Sequence, residues 1–162
     1  LAERQRIDAI ENIGVACVLL KLRRPATRYF WMNVNDERVQ VPGFIEFSNL
    51  NPLPESVVYV PYYMPRTHPK WGWDDQRLMD EARDYFLLTQ PQLKPADIVA
   101  RHVSRYEFAQ TVCPPGFYAM LPEMATSVAG FYMADTSYYY PEDRSICESI
   151  RVGRMLADRA LA

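Results

Sequence analysis

The stretch Gly130-Phe131-Tyr132-Met133-Ala134-Asp135-Thr136-Ser137-Tyr138-Tyr139-Tyr140-Pro141-Glu142-Asp143-Arg144-Ser145-Ile146 leads from a short apolar run, through a polar and aromatic loop, into a helix that extends to Leu161. The run Phe131 to Ala134 predicts a strand that delivers one carboxylate, Asp135, at its carboxyl end. In the helix, Ile146, Ile150, Gly153, Ala157 and Leu161 recur at helical spacing and form one stripe. Gly153 and Ala157 are small enough to let a strand or a ligand approach the axis closely. Pro141 fits a first helical turn, where a missing N–H costs little. An acid at a strand tip can accept hydrogen bonds from hydroxyls, and a nearby helix start offers unpaired amides and partial positive charge. The same pattern also fits a strand, loop and helix that merely close a core.

Upstream, residues 2–12 predict a polar helix with a thin apolar stripe at Ile7 and Ile10, ended by Asn12 or Gly14. Val15 to Leu22 is almost continuously apolar between Gly14 and Pro25, which predicts a strand buried on both faces. Further strands are expected over Arg28–Val34, Gly43–Ser48 and Val57–Met64, with Pro61 pushing the last to a sheet edge or a bulge. Asp74 or Asp75 caps a helix to about Leu88 that buries Leu78, Met79, Ala82, Tyr85 and Phe86. Ile98 to Phe108 reads as a long strand, broken by Cys113-Pro114-Pro115-Gly116, and Phe117 to Thr126 as irregular chain or one helical turn. Short connections favour antiparallel pairing. The sum is an α+β fold: a mainly antiparallel sheet of five or six strands with three or four helices.

Composition narrows the classes of function. The 162 residues suffice for one ordinary domain, and a net charge of −2 argues against a nucleic-acid surface built on charge. Cys17, Cys113 and Cys147 have no metal spacing and read as free thiols of a reducing, cytoplasmic compartment. His68 and His102 are the only histidines, so a His-rich metal site is excluded, and no signal peptide or membrane-spanning run is present. A helical pattern already under way by Ile7, after a first residue that is Leu, suggests an excised piece of a longer protein.

The C-terminal stretch resembles the flavin-binding signature of the FAD-dependent amine oxidase, protoporphyrinogen oxidase and carotenoid desaturase superfamily. That signature has a strand, a small-small-acid triplet, an aromatic loop and a helix of the form small-apolar-x-x-small-apolar-x-x-Gly. The acid falls on Asp135, with Ala134 where the triplet usually has glycine. The helix pattern falls on Ser145, Ile146, Ser149, Ile150 and Gly153. The run Tyr138 to Arg144 is similar to the UDP-galactopyranose-mutase-like branch. The resemblance covers the chain loosely to about Arg105 and more specifically from Gly130 onward.

The resemblance implies FAD as cofactor. Asp135 would bind its ribityl chain, and the helix start at Arg144, Ser145 and Ile146 would meet the polar edge of the ring. Tyr138, Tyr139 and Tyr140 would wall the substrate side, although they suit sheet and helix packing equally well. Residues 1–128 would be a substrate-binding domain and 129–162 the flavin-contact strand, loop and helix, with the last helix returning to a flavin domain. The partner implied is an N-terminal FAD-binding domain of the same protein. No Gly-x-Gly-x-x-Gly is present, so the pyrophosphate-binding turn is missing and this piece alone is expected to bind FAD weakly or not at all. The function implied is hydride transfer from a small-molecule substrate to flavin. The alternatives are a flavin-dependent isomerase of the UDP-galactopyranose mutase type, or a non-redox binding module on the same fold. Arg101 and Arg105 share a strand face and suit either paired anion binding or a solvated sheet face.

Overall fold

The computed structural model describes residues 2–161. The described chain is α+β, with one five-stranded antiparallel sheet and four α-helices. By its own contacts it divides into two units, one running from Ile13 to Ala109 and the other combining the chain up to Asn12 with the chain from Gln110 on.

The first unit holds the sheet. Strands β1 (Asn12–Leu22), β2 (Trp31–Asn33), β3 (Gly43–Glu46), β4 (Ser56–Met64) and β5 (Ile98–Thr111) lie in the order β2-β3-β4-β1-β5. β1 pairs with β4 along its length, from Gly14 opposite Met64 to Leu22 opposite Ser56. One face is fully buried: Ala16, Val18, Leu20 and Leu22 of β1 stand beside Val58, Val60, Tyr62 and Met64 of β4. Helix α2 (Asp75–Thr89) supplies the opposing Leu78, Ala82 and Phe86, and the ring of Phe86 meets Phe44 edge-on at 5.2 Å between centroids. Each Val, Leu, Phe or Met side chain among these contributes about 1.5–3 kcal/mol on leaving water.

β1 alternates between buried and half-buried residues, so it is not the strand buried on both faces that its apolar run suggests. The residues between the buried ones, Val15, Cys17 and Leu19, turn to the second sheet face and are half-buried there. Burial raises the Cys17 thiol above its ordinary pKa. Pro61 sits opposite Cys17 in an unbulged ladder. β4 tolerates it because the pairing of β3 reaches only Tyr59 and Val58, which leaves the other side of Pro61 without a ladder to break. β2 is shorter than expected because its pairing with β3 extends only from Trp31 to Asn33. Gly43 permits that pairing, since a Cβ there would stand 2.3 Å from the Met32 carbonyl oxygen.

Asp74 caps α2 as its position suggests, its Oδ1 accepting the Arg77 amide at 2.8 Å. Arg101 and Arg105 do not form an anion site. Arg101 pairs with Asp80 at 2.6 Å, while Arg105 pairs with Asp75 and donates to the Trp73 carbonyl at 2.8 Å. The two arginines therefore fasten β5 to α2. Before that helix, His68 Nδ1 accepts the Lys70 amide and shapes a short turn. Lys70 is buried, bound to Glu81 at 2.6 Å, with its ammonium 5.2 Å from the Trp73 ring centre and 5.6 Å from those of Tyr62 and Tyr85. Burial, reinforced by the Glu81 charge, pushes the Tyr62 phenol well above its usual range.

In the second unit, helix α1 (Ala2–Asp8) is shorter than the periodicity suggests, because Asn12 already belongs to β1. Arg6 of α1 donates to the carbonyls of Ala119, Met120 and Leu121 at 2.6–3.3 Å, at the end of the one-turn helix α3 (Phe117–Met120). Glu3 accepts the Ser127 amide at 2.8 Å. Helix α4 (Ile146–Leu161) completes the unit.

Candidate functional site

The segment around Asp135 is built by local hydrogen bonds rather than by a strand. Gly130, at a φ of +75°, makes the turn, and the Phe131 amide donates to the Val128 carbonyl at 3.0 Å. Two rungs follow: the Thr126 amide donates to the Phe131 carbonyl at 3.1 Å, and the Met133 amide to the Met124 carbonyl at 2.8 Å. Only an isolated bridge between Ala125 and Tyr132 results, so the strand expected over Phe131–Ala134 and the sixth sheet member are not formed. The pairing stops after two rungs because Asp135 opens the turn over Thr136–Tyr139.

Asp135 is exposed and begins a tight turn over Thr136–Tyr139. Its Oδ1 accepts the Ser137 amide at 2.9 Å and also the Ser137 hydroxyl. The carboxylate therefore organises its own loop, as aspartates before helical turns commonly do. The three tyrosines that follow separate. Tyr138 donates its hydroxyl to the Pro122 carbonyl at 3.0 Å, and burial, with the Asp135 charge adding to it, raises its phenol. The Tyr139 hydroxyl meets Ser149 Oγ at 2.8 Å. Tyr140 stands edge-on to Phe117 at 5.4 Å and to Tyr118 at 4.9 Å, ahead of a cis bond to Pro141.

Pro141 lies outside α4, whose first residue is Ile146. The cap is Ser145, whose Oγ accepts the Glu148 amide at 3.1 Å. The turn carrying Asp135 packs on this helix, through Tyr139 and Ser149. Arg144 is exposed, with its amide donating to Asp143 at 2.7 Å. The apolar stripe of α4 faces solvent: Ile146 is 81%, Ile150 52% and Leu161 88% exposed. A Cβ on Gly153 would meet nothing within 4 Å. What α4 buries instead is Val152, flanked by the half-buried Glu148 and Leu156.

A cleft of about 530 Å³ opens between this helix and the loop, lined among others by Tyr118, Met124, Tyr138, Tyr140, Arg151 and Met155. Arg151 is held by Glu148 at 2.6 Å. Sequence reasoning missed Arg151 and Met155, although with Arg159 they recur at intervals of four along the face opposite the apolar stripe. Tyr118 carried no signal, since its contact with Tyr140 joins segments far apart in the chain. Among the described residues no group of three or more His, Cys, Asp or Glu is placed to hold a metal ion, and no helix is long and apolar enough to cross a membrane. No protein family and no curated protein matches the chain.

Proposed function

We propose that the chain is the substrate domain and C-terminal flavin contact of an FAD-dependent oxidoreductase of the amine-oxidase type, completed by an N-terminal FAD-binding domain of the same protein. The observation that carries this reading is the outward apolar stripe of α4, with the exposed Asp135 on the loop that packs against that helix. A helix that exposes Ile146, Ile150 and Leu161 beside an open Gly153 and Ala157 suits coverage by another domain.

The residues present suit the flavin end of FAD and not its adenosine end. Asp135 and the start of α4 with Arg144, Ser145 and Ile146 are exposed and would hold the polar edge of the cofactor, whereas no glycine-rich turn exists for the pyrophosphate. Bound FAD supplies a hydride acceptor. The start of α4 would favour negative charge there by roughly 0.3–2 kcal/mol. Tyr138, Tyr139 and Tyr140 would border the substrate, and the free thiols Cys17, Cys113 and Cys147 suit a cytoplasmic setting. A flavin-dependent isomerase of the UDP-galactopyranose mutase type would use the same contacts.

The test is Asp135→Ala in the intact protein, which should lower its flavin occupancy. Full occupancy in that variant counts against the role of Asp135. Mixed with FAD, the 162-residue chain by itself should form no tight, stoichiometric yellow complex. A second reading, a non-redox binding module, is favoured by the engagement of Asp135 Oδ1 within its own turn.

A further inference from the structure

β5 is the outermost strand of the sheet, so one of its edges has no neighbouring strand among the described residues. It is 14 residues long, against 11 for β1, no Pro interrupts it, and its charged residues Arg101, Arg105 and Glu107 are each held in an ion pair within the chain. Val99, Tyr106 and Phe108 are 45%, 61% and 58% exposed. An edge of this kind invites a further strand through main-chain hydrogen bonds. The order of side chains identifies which strand fits.

When β5 is set antiparallel to a second β5 with Ser104 on the two-fold axis, Arg101 stands opposite Glu107 of the other copy, and symmetry repeats the pair. Ala100 then faces Phe108, His102 faces Tyr106 and Arg105 faces Val103, so no like charges oppose each other. Directly opposite residues in such a ladder have Cβ atoms about 4.5–5.5 Å apart, within reach of an ion pair. Arg101 and Glu107 stand six residues apart and therefore share one face of the strand, where Arg101 binds Asp80 and Glu107 binds Arg66 at 3.0 Å. Tyr106 and Phe108 alternate with Glu107 and lie on the other.

We propose that β5 is a homodimer interface, through which two copies of this chain join edge to edge into one continuous sheet with reciprocal Arg101–Glu107 pairs across the axis. The pairing does not depend on flavin.

Sedimentation velocity over a concentration series on the wild-type chain, on Arg101→Glu and on Glu107→Arg tests this, with far-UV circular dichroism confirming that each is folded. The first variant sets carboxylates against carboxylates across the axis, and the second sets guanidiniums against guanidiniums. Wild type should dimerise, and each variant alone should do so at least about tenfold more weakly. An equimolar mixture should recover the dimer, because the two variants are complementary to each other. A wild-type chain that stays monomeric overturns the proposal. So does an Arg101→Glu chain that self-associates as wild type does, or a mixture of folded variants that shows no recovery.

Discussion

Glu46 is fully buried, yet its carboxylate is surrounded by donors. Oε1 accepts the Ala26 amide at 2.9 Å and the Ser56 hydroxyl at 2.7 Å, while Oε2 accepts the amide and the hydroxyl of Thr27, both at 2.9 Å. One side chain thereby joins the end of β3 to the start of β4 and to the loop after β1. A glutamine can accept at only one of those two positions, and its NH₂ group would confront a donor at the other. Glu46→Gln should therefore lower stability by about 1–3 kcal/mol in urea denaturation. Nothing in the run Gly43–Ser48 singles out Glu46, because its partners arrive from 10, 19 and 20 residues away. Asp135 is the reverse case. The residue types around it mark it as an acid of interest, but its Ser137 contacts, two residues on, depend on a turn conformation that an apolar run beforehand does not announce.

The link between α2 and β5 governs the acid behaviour of these elements. The Arg101 guanidinium, and then Gln76, hold the Asp80 carboxyl below its ordinary pKa. A carboxyl depressed in the folded state contributes its full stabilisation above its unfolded value, near 3.9, and loses it as pH falls through the lower folded value. Stability should thus decline on acidification below about pH 4, and Arg101→Met should make that part of the decline shallower in thermal melts across the acid range. α2 itself was legible, since an aspartate cap and an apolar face repeating every three or four residues specify a helix locally. β1 and β4 are legible from their apolar runs, and β5 from its partial alternation. The bridge at Ala125 and Tyr132 was not, because a four-residue apolar run does not reveal that the turn opened by Asp135 will cut its pairing short. The spacing on α4 specifies a stripe, but periodicity cannot say which of two faces the core will claim.

At the scale of the whole chain, the apolar core that unites sheet and helix lies within Ile13–Ala109. β1 and β4 are interior strands, and their buried face is met by Leu78, Ala82 and Phe86. The most protected amides in native-state hydrogen exchange should be those of Val18, Leu20, Val58 and Val60, with α4 exchanging sooner because Val152 is its one fully buried residue. Rapid exchange in β1 would show that stability resides elsewhere.

The cage around Lys70 has a chemical corollary. Acylation of an amine needs room for the incoming carbonyl, and Glu81 with three aromatic rings closes that room around a side chain only 10% exposed. An acetylating reagent should label Lys21 and Lys94 well before Lys70 in mass-spectrometric mapping, so that the slow appearance of acetyl-Lys70 becomes a clock for the opening of the short turn that carries it.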